Sequence, residues 1–166
     1  MIAVLLADGF EEMEALTPVD MLRRAGLDVK TVGINGKIIT GAHKIPVICD
    51  LTPDEVELCK VSLVIFPGGM PGALNLDSSA FTDEIISAVT KNGGKLAAIC
   101  AAPLILGRRG ILKGRTATCY PGFENELTGA KISDAGVALA FSEELISLIC
   151  GEDKRRALSE AIMEEK

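Results

Sequence analysis

Cys100 closes the apolar run Lys95-Leu-Ala-Ala-Ile-Cys100 and is followed at once by Ala101-Ala-Pro-Leu104, so a strand pattern ends and a helix pattern begins on one residue. A nucleophile on a strand-to-helix elbow is held out where it can attack a carbonyl, and a turn that sharp tolerates only small neighbours. Ala98 and Ala102, two residues to either side, meet that demand. Pro103 fits the first helical turn, where its missing N–H costs nothing. A thiol at a helix N-terminus feels the positive end of the dipole, which lowers its pKa below the free value of about 8.5 and predicts a thiolate near neutral pH. As one more buried small hydrophobe, Cys100 is explained without any chemistry; the elbow pattern brings the chemical reading level with that plain one.

Two further segments carry the groups such a thiol needs. Phe66-Pro-Gly-Gly-Met-Pro-Gly-Ala73 is a glycine-rich turn directly after an apolar run. Ligands of open parallel sheets bind beyond the carboxyl ends of the strands, so the amides of Gly68 and Gly69 can face an oxyanion formed at Cys100. The spacing is not the G-x-G-x-x-G of a dinucleotide site, and a tight turn needing positive φ explains the glycines equally well. In Ala7-Asp-Gly-Phe-Glu-Glu-Met-Glu-Ala-Leu16, Asp8 and Glu11 have the spacing of a capping box, and acids at a helix start are ordinarily solvated partners of the dipole. Glu14 differs, because Met13, Ala15 and Leu16 surround it with apolar neighbours and Pro18 cannot donate to its carbonyl, which predicts a break in the helix. A carboxyl in that place is expected to stay protonated and donate a hydrogen bond.

Composition narrows the chemistry further. Seventeen basic residues against 23 acidic give a net charge of -6, which disfavours a phosphate-backbone binder. Aromatic residues are 4% and Trp is missing, so stacking platforms for single-stranded nucleic acid are scarce. His43 is the single histidine, in a turn-like stretch between Gly41 and Pro46, and the five cysteines form no C-x-x-C pair. Neither a metal site nor a disulfide framework is expected from that material. The apolar start Met1 to Leu6 is too short for a signal peptide, and no run approaches the roughly 18 residues of a spanning helix. The expectation is a cytoplasmic protein acting on a small molecule, with no nucleic acid or membrane as partner.

A length of 166 residues favours one domain. Short apolar runs at Ile2 to Leu6, Val29 to Gly33, Leu63 to Phe66, Leu96 to Ile99 and Arg115 to Cys119 read as central strands of a parallel sheet. Helical patterns cover Glu11 to Ala25, Ser79 to Lys91, Ala102 to Arg109, Ala138 to Ile149 and Glu152 to Lys166. Lys37 to Cys49, polar and broken by Gly41 and Pro46, reads as a small antiparallel excursion at a sheet edge.

These segments together resemble the ThiJ/PfpI superfamily, in the branch of Parkinson disease protein 7 and the bacterial ThiJ-like proteins. The likeness covers nearly the whole chain, through Gly9-Phe-Glu-Glu-Met-Glu14, Pro18-Val-Asp20, Arg23-Arg-Ala-Gly26, Pro67-Gly-Gly69, Asn75-Leu76, Ala97-Ala-Ile-Cys-Ala101 and Cys119-Tyr-Pro-Gly-Phe-Glu124. It implies an α/β fold, a flavodoxin-like three-layer sandwich with a mostly parallel central sheet and a nucleophile elbow, and it implies a homodimer. Cys100 is then the reactive, easily oxidised thiol, Glu14 the protonated acid bonded to it, and Gly69 and Ala101 the oxyanion amides. Gly68, Tyr120 and Pro121 border the pocket, with Arg24 reaching the pocket of a second copy. No cofactor is implied. The implied activity is that of a cofactor-independent glyoxalase or deglycase acting on methylglyoxal and related α-oxoaldehydes, or on their early adducts. The alternative is a cysteine-based oxidative-stress sensor or redox chaperone without significant turnover.

Departures from the family pattern matter. Peptidase members place His directly after the cysteine, where this chain has Ala101, and some relatives place a pocket His where Tyr120 stands. Peptidase chemistry is therefore not expected. Family members also continue from Ile132-Ser-Asp-Ala-Gly136 into a hairpin and turn, whereas Val137 here leads straight into Ala138-Leu-Ala-Phe-Ser142. Losing about a dozen residues there would uncover core, so a natural protein is expected to carry that segment.

Overall fold

The run Ile2–Leu6 (β1) is apolar and buried at every position, so it needs cover on both faces. In the computed structural model, which describes residues 1–133 and 138–164, it gets that cover from two cores divided by side-chain parity. Ile2, Val4 and Leu6 enter one, and Ala3, Leu5 and Ala7 the other. β2 (Val29–Gly33) and β5 (Leu63–Phe66) flank β1 in parallel, and β6 (Lys95–Ala98) pairs with β5. The order β2-β1-β5-β6 is doubly wound, and its topological switch point falls between β1 and β5.

Helices close both faces. α1 (Glu12–Arg24) and α5 (Ala138–Cys150) bury Ala15, Val19, Leu22, Leu145 and Ile146 against the face of Val4, with α6 (Glu152–Glu164) packed on α5. α2 (Gly72–Asp77), α3 (Ala80–Lys91) and α4 (Pro103–Arg108) bury Leu76, Ile85, Val89, Leu104 and Ile105 against the face of Leu5. The result is the expected flavodoxin-like sandwich. β3 (Ile38–Thr40) and β4 (Pro46–Ile48) form the expected antiparallel excursion.

Several local expectations are corrected. Arg115 to Cys119 is not a central strand: only β7 (Thr116–Ala117) forms, paired with β8 (Lys131–Ile132) in a separate sheet, because Arg115 and Thr116 are exposed. β6 is an edge of the four-stranded sheet, with Lys95 exposed and Leu96 to Ala98 half-buried. The short α2 has no amphipathic stretch long enough to announce it. Pro18 does not break α1, which runs through it with the ring buried. Glu11, not Asp8, caps that helix, while Asp8 Oδ1 accepts from the Thr40 N–H at 2.8 Å. Acids in the first turn and Arg23 and Arg24 in the last complement the dipole of α1. The sequence holds no hairpin after Val137, and the junction where it would enter, residues 134–137, lies outside the described residues.

Leu5 is fully buried in the central strand and Ile132 is 49% exposed on β8. Leu5→Ala is expected to cost about 2–5 kcal/mol in urea unfolding, and Ile132→Ala less than about 0.5 kcal/mol.

Candidate active site

Three turns converge beyond the carboxyl ends of β1, β5 and β6. The first two approach so closely that only glycine fits between them. A Cβ on Gly69, whose φ is +86°, would lie 2.3 Å from the Glu11 amide nitrogen, and one on Gly72 would lie 2.4 Å from that of Phe10. The Glu11 N–H donates to the Gly68 carbonyl at 3.0 Å, and the Gly72 N–H to the Gly9 carbonyl at 3.2 Å. The start of α1 is thereby fastened to the glycine turn.

That fastening sets Glu14. Its N–H donates to Glu11 Oε2 at 2.8 Å, and its own Oε2 accepts from the Gly68 N–H at 2.9 Å. A Cβ on Gly68 would meet Glu14 Oε2 at 2.6 Å and Cys100 Cβ at 2.8 Å, so glycine there is what lets the carboxylate lie against the thiol. The third turn brings Cys100 in at φ +59°, a left-handed conformation costly for a side chain and characteristic of functional elbows. Its carbonyl accepts from the Tyr120 N–H at 2.7 Å, which ties the elbow to the segment after β7.

Burial acts on both members of this pair in the same direction. Burial pushes the half-buried Cys100 thiol up to about 11, and the Glu14 carboxylate beside it adds to the rise, while the Ala101 and Gly69 N–H groups oppose it. Helix α4 begins only at Pro103, so the sulfur lies outside its first turn and meets two amides rather than a full helix terminus. Burial also raises the Glu14 carboxyl, against hydrogen bonds from the Cys100 thiol and the Gly68 N–H; the charge of Glu11 adds to the rise. Two anions side by side repel, so the pair surrenders its second proton reluctantly. The rise at Glu14 is in the direction expected for a carboxyl that keeps its proton, and the rise at Cys100 runs against the expected thiolate.

A cleft of about 570 Å³ opens over Cys100 and Glu14, with Tyr120 and Pro121 on one wall. Gly68 is buried beneath the pair rather than lining the space. Arg24, expected at the pocket of a second copy, lies away from the cleft of its own chain: it sits ten residues along α1 from Glu14, about 15 Å by helical rise, with its Nε 2.9 Å from Asp20 Oδ2. Met13, Phe141 and Glu144 also line the cleft. Periodicity marks Phe141 only as apolar, because the packing of α5 across α1 is not a local property. His43 takes no part; its N–H and Nδ1 lie 2.8 Å from the two carboxylate oxygens of buried Glu12. That contact raises the His43 pKa. Glu11, Glu12 and His43 stand close enough together to hold a cation, but Glu12 is already occupied by His43.

A profile of the DJ-1/PfpI family matches residues 1–160. The Parkinson disease protein 7 homolog of Danio rerio is 37% identical over 139 residues, 81% of this chain and 74% of that protein. The protein named Deglycase PfpI of Pyrococcus furiosus is 34% identical over 132 residues, 79% of this chain and 78% of that one. Among solved structures, a cysteine-to-alanine mutant of the DJ-1 superfamily protein STM1931 from Salmonella typhimurium superposes with a TM-score of 0.91 at 29% identity, covering 98% of this chain and 97% of that one.

Alkylation by iodoacetamide as a function of pH reads the thiol directly. Cys100 is expected to titrate well above the free value of about 8.5, and Glu14→Gln is expected to lower its apparent pKa by removing the repelling carboxylate. An upward shift in Glu14→Gln would identify Glu14 as a protonated donor to a thiolate instead.

Proposed function

The chain belongs to the DJ-1/PfpI family, and on that footing we propose that it is a cofactor-independent glyoxalase or deglycase acting on methylglyoxal and related α-oxoaldehydes or their early adducts. The observation that carries the reading is the hydrogen-bonded Cys100–Glu14 pair at the floor of a cleft, with the Ala101 and Gly69 amides turned toward the sulfur. Relatives bearing the name deglycase support it.

In this proposal the Cys100 sulfur adds to the aldehyde carbon as its proton passes to Glu14, a better base for its raised pKa. The oxygen of the resulting hemithioacetal is held by the Gly69 and Ala101 amides. Glu14 returns the thiol proton to that oxygen and is again a carboxylate; it then takes the proton from the former aldehyde carbon and delivers it to the neighbouring carbon while the hydroxyl proton of the first carbon passes to the oxygen of the second, so that the first carbon is oxidised to a thioester as the second is reduced to a carbinol. Water cleaves the thioester, releasing the hydroxy acid and restoring the thiol. No outside oxidant or cofactor enters the balance. Peptide cleavage has less support: protonating an amine leaving group is the work of an imidazole in cysteine peptidases, and His43 is held by Glu12 away from the cleft.

We propose a homodimer as its working form, a reading supported by the exposed apolar side chains of Ile38 and Ile48 on the β3–β4 hairpin. Light scattering that returned a single 17.5 kDa chain at micromolar concentration would oppose it. For the activity, purified protein is expected to convert methylglyoxal to lactate, with Cys100→Ser abolishing turnover and Glu14→Gln lowering it by about 100-fold or more. Equal rates in all three would overturn the proposal, as would Cys100-dependent cleavage of casein at a comparable rate.

A further inference from the structure

Strand β6 has a partner on one side only. Its pairing with β5 uses alternate residues: the Lys95 N–H donates to the Ser62 carbonyl at 2.9 Å and the Ile99 N–H to the Phe66 carbonyl at 3.2 Å. The N–H and C=O groups of Leu96 and Ala98 therefore point away from β5. β7 repeats the pattern. The Arg115 and Ala117 carbonyls accept from the Lys131 and Ser133 N–H groups, so the backbone groups of Thr116 and Thr118 point away from β8. The two free edges meet at one place, where Tyr120 and Cys100, of the same parity as those outward residues, are joined by the 2.7 Å bond at the elbow. Before that bond no hydrogen bond links β6 to β7 among the described residues, although Leu96, Ala98 and Ala117 pack against one core. Thr118 Oγ1 is buried with no hydrogen-bond partner. Two strand edges that converge on a single bond form a wedge, and unpaired edges are templates for a further strand.

We infer that this wedge takes an extended segment of another protein by strand addition, a segment apolar on both faces and acidic at the end far from Cys100. Leu96 and Ala98 pack against the core of Leu5 and Ala97 against the core of Val4, so a strand laid beside β6 is covered on both faces, as β1 is. The acidic end follows from three exposed cations. Lys95 and Arg115 each stand five residues before the elbow bond, and Lys131 is bonded through its N–H to the Arg115 carbonyl. None of the three is in an ion pair among the described residues. The proposed homodimer leaves this place open, because β6 lies across the sheet from β2, and it is β2 that the segment after the β3–β4 hairpin joins, at Val32 and Leu51. A folded second copy has no such segment to give: its runs of this kind, Ile2–Leu6 and Leu63–Phe66, are already paired within their own sheet.

The probe is a fluorescein-labelled peptide, Asp-Asp-Val-Val-Thr-Val-Val, with a Lys-Lys analogue and an analogue N-methylated at alternate residues. Fluorescence anisotropy is expected to show the acidic peptide binding the full chain at least about tenfold more tightly than either analogue at low salt. In the double variant Lys95→Glu, Arg115→Glu, both surface changes, the preference between the acidic and basic peptides is expected to reverse. Amide exchange followed by ¹⁵N NMR locates the peptide: Leu96, Ala98, Thr116 and Thr118 are expected to exchange quickly in the free protein and to slow at least about tenfold when it is bound. No binding up to about 1 mM, binding that N-methylation leaves unchanged, or binding that protects other amides would overturn the inference. So would slow exchange of these four amides without peptide. If that protection rose with protein concentration, the occupant would be a second copy; if it did not, the chain would cover its own edges.

Discussion

Everything distinctive about this molecule depends on a carboxyl and a thiol being forced to share a half-buried place. Glu14 Oε2 accepts from the Gly68 N–H, the Cys100 thiol and the same carboxyl are hydrogen-bonded, and the space for all three exists because residue 68 has no side chain. The contact is assembled from elements distant in sequence. β1 leads into the helix that carries Glu14, β5 into the glycine turn, and β6 into the elbow of Cys100. Their parallel pairing brings the three carboxyl ends to one edge of the sheet, so the site is a consequence of strand order before it is a consequence of any side chain.

Burial has opposite effects on the two partners' usefulness. It disfavours the thiolate, and it makes the carboxyl a stronger base than an exposed glutamate. A free thiolate would react with any passing electrophile or hydroperoxide. A thiol hydrogen-bonded to a strengthened base becomes a nucleophile as its proton leaves, when a carbonyl stands within reach of the Gly69 and Ala101 amides. The strained φ of Cys100 belongs to the same device, since it turns the side chain into the cleft while Tyr120 holds the elbow by its carbonyl.

Much of this was legible in the residues. The unbroken apolar runs at Ile2–Leu6 and Leu63–Phe66 announce interior parallel strands, and the small residues around Cys100 announce the elbow. What escaped depends on distance in the fold. The upward shift of the Cys100 thiol follows from burial, and burial is not written in spacing. Glu144 and Phe141 reach the cleft only because α5 lies across α1. Arg115 to Cys119 misled because a strand needs a neighbour as well as β-forming residues, and Arg115 and Thr116 face solvent.

The shared proton is open to direct observation. With the glutamate side-chain carboxyl carbons labelled by ¹³C, the Glu14 resonance can be followed through a pH titration in the wild type and in Cys100→Ala. Glu14 is expected to titrate above the ordinary carboxylate range because it is buried, and to move higher still in Cys100→Ala, where the thiol no longer donates to its charged form. A Glu14 carboxyl that titrates at or below 4.5, or that does not respond to loss of the thiol, would contradict the coupling on which the whole account of the site rests.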